Sequence, residues 1–362
     1  MRLSRLHLEN YRSFEKADYT FEASGTAICG DNGRGKSNLL ESIYYLAVAK
    51  SGRNASDRDV TRWNSEHFVI AARVEREDQD LDIRVAYDRR SQKKRVFVDD
   101  LPLDRLSDLI GNFNAVLFSP EDVDLVLRDP SERRRLLDIL VAQSSKAYLS
   151  DLEQYRRILN QRNRLLKTQG WQLTRDPAPL TPWDAQLADI GSRVVHQRVA
   201  ALARMEDPLA SLYASISPAG ESLTVHYRCP TSGDTPEDTE SNLRAAMEEK
   251  RSDEANVGYT LVGPHRDQVV FNLDKHPVHK FGSKGQMKSV LLAWKLAEAR
   301  FLAAETGYLP VLLMDDIFSE LDDKRANAVL DLIDQDFGQC ILATARDPDL
   351  DLKGRGYATI DL

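Results

Sequence analysis

The stretch GTAICGDNGRGKSNLLESIYYLAVAK, residues 25–50, decides how the rest of the chain is read. It opens with a short apolar run, residues 25–29, of the kind that forms a buried strand. Residues 30–37, GDNGRGKS, then fit the pattern G-x-x-x-x-G-K-[ST]. From about Ser37 a continuous apolar face predicts a helix. Strand, glycine-rich turn and helix in that order make a phosphate-binding loop. Glycines let successive backbone N–H groups turn inward, and the helix N-terminus adds partial positive charge. Gly30, Asp31, Asn32, Gly33, Arg34, Gly35, Lys36 and Ser37 are therefore the candidate nucleotide-binding residues. Lys36 is expected to reach the β- and γ-phosphates. The Ser37 hydroxyl is expected on Mg²⁺, which prefers hard oxygen ligands.

The 362 residues are 42% hydrophobic and 29% charged, enough for one large core or two modest ones. No apolar run approaches the roughly 20 residues needed to span a bilayer. The opening MRLSRLHLEN alternates like a strand, so a cytoplasmic protein without a membrane partner is expected. Cys29, Cys229 and Cys340 are too scattered for a disulfide framework or a zinc site. A net charge of −8 argues against nonspecific coating of polyanions. Basic residues nonetheless cluster in SGRNASDRDVTRW (51–63), RRSQKKR (89–95), SERRR (131–135) and YRRILNQRNRLLK (155–167). One such run is ordinarily a solvated face, but several imply at least one phosphate-contacting surface. Arg53, Arg58, Arg62, Arg89 and Arg90 are the candidates for that phosphate contact.

Along the chain, residues 5–23 predict a hairpin, and HFVIAARVE, LDIRVAYD and KRVFVDDLPL predict an antiparallel block. Residues 130–167 predict helix from the spacing of Leu136, Leu137, Leu140, Tyr148, Leu152, Tyr155 and Leu159. TRDPAPLTPW (174–183), with three prolines, predicts a loop before a second helix from about Asp184 towards Leu212. Residues 1–125 and 256–362 thus form the two halves of one α/β unit, with a helical lobe, 126–255, inserted between them.

VLLMDDIFSELD (311–322) is an apolar strand ending in two carboxylates. Charges at the edge of a strand buried on both faces need partners, and a Mg²⁺-nucleotide supplies one. Asp315 is assigned to the metal, directly or through water. Asp316 is assigned to orient or deprotonate the attacking water, which makes Lys36 and Asp316 the candidate catalytic residues.

FGSKGQMKS (281–289) looks at first like a second phosphate loop. Taken alone, a Gly-Ser turn capping a helix is common. Its place between the first loop and the Asp315-Asp316 strand is what matters. That order resembles the ABC-type ATPases, whose signature turn grips the γ-phosphate held by a partner molecule. The resemblance implies that Ser283, Gly285 and Gln286 act in trans, and that Ser319 and Asp322 in SELD belong to a D-loop crossing between subunits. A hydroxyl and free N–H groups at a helix start suit that task.

The resemblance narrows on ENYRSF (9–14), GDNGRGKSN (30–38), FSPED (118–122), RRLLD (134–138), LNQRN (159–163), GPHRD (263–267), GSKGQ (282–286) and DDIFSELD (315–322), which run in order over nearly the whole chain. The set is similar to the RecF family of bacterial DNA replication and repair proteins, ABC/SMC-type ATPases. The resemblance implies an ABC-type ATPase head, a P-loop NTPase sheet plus an antiparallel β subdomain, with a helical second lobe and no long coiled coil. It implies ATP and Mg²⁺, and an ATP-driven head-to-tail homodimer. That dimer binds double-stranded and gapped DNA at single-strand/double-strand junctions and works with RecO and RecR to load RecA. Slow, DNA-stimulated hydrolysis resets it. Arg12 is implied near the nucleotide, and Glu121 or Asp122 as a nucleotide sensor.

Two departures bear on rate. LATARD puts Thr344 or Ala345 where many ABC ATPases carry a His, and Asp316 stands where many carry Glu. Both are expected to slow hydrolysis, as suits a switch. A transporter subunit would carry Leu-Ser-Gly-Gly-Gln and the terminal His, and a P-loop kinase has no use for GSKGQ. A DNA-architectural protein with structural ATP would show no DNA-stimulated turnover.

Overall fold

The computed structural model of the chain describes residues 1–53, 55–119, 123, 129–217, 220–320, 323–344 and 352–362, with the side chains of 171, 319, 320, 323 and 324 outside that description. The chain forms two compact units. One comprises residues 1–125, 207–223 and 282–362, and the other residues 126–206 and 224–281.

The first unit holds two sheets. A six-stranded antiparallel sheet runs in the order Phe14–Thr20, Arg2–Tyr11, His67–Glu75, Asp80–Asp88, Lys93–Val98, Leu101–Pro102. Its register lines Leu8 with Ile70, Ile70 with Val85 and Val85 with Val96, one buried apolar row across four strands. The alternation seen in the sequence exists to make this row. A five-stranded sheet runs in the order Ala358–Asp361, Thr26–Cys29, Cys340–Thr344, Val311–Asp315, Ala115–Phe118, with every neighbouring pair parallel. Four of these strands, TAIC, CILAT, VLLMD and AVLF, are continuous apolar runs, as burial on both faces demands. The helix Lys36–Val48 shares one hydrophobic cluster with both sheets, and every residue from 39 to 47 is buried. A helix wrapped on all sides has no polar face to spare.

The second unit is built on the helices Pro130–Ser144, Lys146–Leu173, residues 181–206 of Thr181–Ile216, and Pro236–Val257. Beside them lies a three-stranded sheet ordered His276–Pro277, Gln268–Leu273, Leu223–Arg228. The helix predicted over 130–167 is broken at Ser145, whose backbone is extended and whose hydroxyl caps the next helix by accepting from Tyr148 N at 3.1 Å. The predicted loop ends at Thr181 instead of Trp183. Pro182 falls in the first helical turn, where its missing N–H has no intrahelical partner to lose.

Residues 256–281, expected with the C-terminal half of the α/β unit, fall in this second unit. The strand Gln268–Leu273 is tied there by its own sheet and by Arg133 Nε, which donates to Val269 O at 2.6 Å. Two arginines of this unit also turn inward, one of them from the basic run 155–167. Arg162 has no exposed side-chain surface and pairs with Asp184 and Glu254, each at 2.7 Å, while donating to Thr260 Oγ1 at 2.9 Å. Arg198, likewise buried, grips Asp138 at 2.7 Å, the Tyr227 hydroxyl at 2.9 Å and Pro264 O at 2.7 Å. A buried guanidinium costs several kcal/mol unless so paired. LNQRN and GPHRD therefore serve the interior of this unit.

Candidate nucleotide site

The parallel sheet brings its functional residues to one edge. Thr344 pairs with Cys29, Ala343 with Asp315, and Met314 with Phe118, so Gly30, Asp315 and Thr344 all lie at carboxyl ends of strands. Ligands of open parallel sheets bind there. Gly35 starts the helix Lys36–Val48 with a φ of 104°, and a Cβ at this position would sit 2.8 Å from Ser13 Oγ. Both facts exclude a side chain. Lys36 Nζ donates to Gly30 O at 2.7 Å and Asp31 O at 3.1 Å, so the ammonium lies inside the curl of the loop.

Ser37 Oγ donates to Asp315 Oδ1 at 2.8 Å, and Arg53 Nη2 pairs with Asp315 Oδ2 at 3.1 Å. Hydroxyl and carboxylate converge as two hard oxygens on one small volume. This fits Mg²⁺, which takes few protein ligands and fills its octahedron with phosphate and water. Among the described residues no group of three or more His, Cys, Asp or Glu could hold a metal by itself. Asp316 follows with a φ of 47°, its N–H donating to Ala343 O at 3.0 Å. The left-handed turn, which Asp tolerates better than most residues, bends the chain off the strand.

Arg12 also has a left-handed backbone, φ 51°. Its guanidinium meets Glu41 through two hydrogen bonds, Nε to Oε2 and Nη2 to Oε1, each 2.9 Å. Glu41 is 1% exposed and also accepts from Ser51 Oγ. Ser51 Oγ in turn accepts from Arg53 N at 3.1 Å. Arg12 and Arg53 are thus set by one buried carboxylate and one serine. The sequence reading missed Glu41; its signal was a lone acid inside the apolar run LLESIYYL. Arg12 opens onto a cleft of about 590 Å³ with Ser13, Asn38, Asp59, Arg62 and Trp63 along its walls. Asn38 Nδ2 donates to Ser13 Oγ at 3.2 Å, so this cleft adjoins the phosphate loop.

The turn at Ser283 begins the helix Lys284–Thr306 with a reciprocal capping box. Ser283 Oγ accepts from Gln286 N at 3.2 Å, and Gln286 Oε1 accepts from Ser283 N at 2.7 Å. Ser283, Gly285 and Gln286 belong to the same unit as residues 30–37, and the side-chain hydrogen bonds of Ser283 and Gln286 run to each other and to Glu221. Ser319 lies in the 3-10 turn Ile317–Glu320, of which its backbone is described. Asp322, Glu121, Asp122 and Ala345 lie outside the described residues.

The arginines proposed for DNA separate. Arg53 is directed to Asp315, next to the nucleotide site, because the Ser51 turn points it there. Arg58 is exposed, and Arg62 pairs with Glu15 at 3.1 Å. Arg89 and Arg90 sit at the turn between Asp80–Asp88 and Lys93–Val98, with Arg90 on Glu66 at 3.2 Å.

The model of the RecF/RecN/SMC N-terminal domain family matches residues 2–355. The chain is 37% identical over 336 residues to the DNA replication and repair protein RecF of Listeria innocua, covering 92% of this chain and 90% of the relative. It is 38% identical over 341 residues to that of Geobacillus thermodenitrificans, with the same coverage. Among solved structures, the recombination mediator protein RecF with ATP, of the RecFOR pathway, superposes with a TM-score of 0.87 at 29% identity, over 96% of this chain and 92% of that one. An SMC head bound to the C-winged helix domain of ScpA superposes with a TM-score of 0.55 at 18% identity, over 96% and 90%, a likeness of fold. No described helix is long and apolar enough to cross a membrane. With a match that runs from strand Arg2–Tyr11 past the Asp315 strand, the chain belongs to the RecF family of ABC/SMC-type ATPases.

Proposed function

We propose that this protein is an ATP-dependent DNA-binding switch of recombinational repair and replication restart. The observation that carries this reading is the meeting of Ser37 and Asp315 at 2.8 Å beside Lys36. Lys36 neutralises phosphate charge, Ser37 and Asp315 would hold Mg²⁺, and Arg53 balances the carboxylate. Bound Mg²⁺ would supply charge neutralisation for the β- and γ-phosphates. Asp316 orients the water, one methylene shorter than the usual Glu, and hydrolysis is correspondingly slow. The cleft walled by Arg12, Ser13, Asn38 and Trp63 has room for ribose and base.

A phosphate cradle open at the strand ends and a signature turn bonded elsewhere in the same unit support an ATP-driven homodimer, each Ser283 turn closing the other subunit's site, with the Ser319–Asp322 loop crossing between them. The closed dimer binds duplex DNA at gap junctions through backbone phosphates, with Arg58, Arg62, Arg89 and Arg90 as candidate contacts. The names of the relatives, DNA replication and repair proteins and a mediator of the RecFOR pathway, support DNA, RecO and RecR as partners. RecA loading in the cytoplasm is the outcome this reading assigns to the switch.

Sedimentation with ATP, with ADP and without nucleotide tests the reading. The expected result is a dimer with ATP alone, lost in Ser283→Arg while ATP binding persists. A wild-type monomer at saturating ATP would sink it. DNA-independent ATP turnover would favour the architectural alternative, in which the nucleotide only holds the fold.

A further inference from the structure

The signature turn is not held by its helix alone. Gln286 Nε2 donates to Glu221 Oε1 at 2.5 Å. The other oxygen of Glu221 accepts from the hydroxyl of Tyr213 at 2.8 Å, and Tyr213 is fully buried in the last turn of the helix Thr181–Ile216. A chain of hydrogen bonds therefore runs from a buried phenol through a carboxylate to the Gln286 amide, and from that amide to Ser283 N. All four residues lie in the same compact unit.

The chemistry of this chain has one direction. A carboxylate only accepts, so it must face the NH₂ end of the Gln286 amide, which leaves the oxygen end for the N–H of Ser283. A primary amide has no such preference by itself. If it turned over, two donors would face each other at Ser283, and the capping box would open. Glu221 thus fixes which end of Gln286 meets the turn, and so holds the Ser283 N–H and keeps closed the capping box in which Gln286 N donates to the Ser283 hydroxyl.

We propose that Glu221 is a positioning residue for the signature turn, setting the orientation of Gln286 through which Ser283 is presented to the partner's phosphate. The inference rests on the reading that this turn acts in trans. The hydrogen bonds of Glu221 run to Tyr213 and Gln286, so its loss is expected to spare ATP binding and to weaken only the ATP-bound dimer.

The test compares wild type, Glu221→Ala, Glu221→Gln and Tyr213→Phe by sedimentation with ATP, alongside binding of a fluorescent ATP analogue to the monomer. Glu221→Ala is expected to weaken the dimer about tenfold or more with unchanged ATP affinity, because one charge-assisted hydrogen bond and the amide orientation are lost together. Glu221→Gln keeps an oxygen acceptor for Gln286 and is expected within about threefold of wild type. Tyr213→Phe is expected to weaken the dimer by about threefold, through loss of one hydroxyl. An alanine variant that dimerises like wild type overturns the proposal, as does a glutamine variant as impaired as alanine. If Glu221→Ala does not fold, the glutamine and phenylalanine variants decide. A wild-type protein that fails to dimerise with ATP instead removes the trans reading itself, a separate outcome.

Discussion

Ser37 and Asp315 are 278 positions apart in sequence and meet at 2.8 Å. The meeting is enforced by three parallel strands. Thr26–Cys29 ends at the phosphate loop, Val311–Asp315 ends at the carboxylate, and Cys340–Thr344 lies between them, in register with both. Asp315→Asn keeps the shape of the side chain and removes the charge shared by Ser37, Arg53 and the expected Mg²⁺. ATP turnover is expected to fall by about 10²-fold or more, with half-saturation moved to higher Mg²⁺. Steady-state hydrolysis across a Mg²⁺ titration checks this. An Asn variant with the wild-type Mg²⁺ response would remove Asp315 from the metal.

Glu41 predicts a stability effect inside the same site. It is 1% exposed and accepts both hydrogen bonds of Arg12 as well as that of Ser51. Glu41→Ala leaves a partly buried guanidinium uncompensated, a loss of about 3 kcal/mol. Arg12→Ala together with Glu41→Ala is expected to cost less than the two single changes summed, since the stranded charge is gone. Urea unfolding of the four proteins in this cycle gives the coupling. Strict additivity would mean that the pair makes no net contribution.

What the sequence could reveal follows from which interactions are local. The phosphate loop, the capping box at Ser283 and the apolar strands TAIC and VLLMD each declare themselves within a few residues, because backbone geometry and burial on both faces constrain neighbouring positions. Arg53 looked like a surface cation because its partner, Asp315, is distant in sequence and meets it only once the sheet has formed. Arg162 and Arg133 misled in the same way, each inside a basic run yet held by groups from other elements. Charge runs state composition, and only tertiary pairing states direction. Strand Leu223–Arg228 was missed beside a polar, turn-rich stretch, and Ala358–Asp361 alternates as an edge strand too short to show a period.

The second unit carries a pH dependence. Burial lowers the His265 pKa to about 4, from an ordinary 6.5. Its Nδ1 lies 2.8 Å from the Tyr155 hydroxyl and its Nε2 lies 3.1 Å from Thr260 O, a pair of partners suited to the neutral ring. The folded state thus binds this proton less readily than the unfolded chain. The contribution is fully present above pH 6.5 and is lost as pH falls towards 4. Asp267, raised by burial, acts in the opposite sense, because the cost of its ionised form is relieved in acid. His265→Gln keeps a donor and an acceptor without titrating. Between pH 7 and about pH 4.5, wild type is expected to lose roughly 2 kcal/mol more than this variant in urea unfolding. Equal losses would show that the fold does not lower the His265 pKa.

Trp63 is 88% exposed on the wall of the cleft that adjoins the phosphate loop. An indole that is almost wholly solvated adds little to folding, so Trp63→Ala is expected to change stability by less than about 0.5 kcal/mol. Stacking on a nucleobase is a different matter, worth about 1–3 kcal/mol per base where an aromatic side chain serves as a platform. ATP affinity is therefore expected to fall about tenfold in Trp63→Ala. Inorganic tripolyphosphate has no base and reports on Lys36 and the loop alone, so its affinity is expected to be the same in both proteins. In wild type, ATP is expected to quench indole emission and tripolyphosphate to leave it unchanged, with Trp63→Phe abolishing the quench but retaining most of the affinity. Loss of affinity for both ligands would point to a disturbed loop. Unchanged ATP binding in the alanine variant would move the base off this wall and leave the cleft to the ribose.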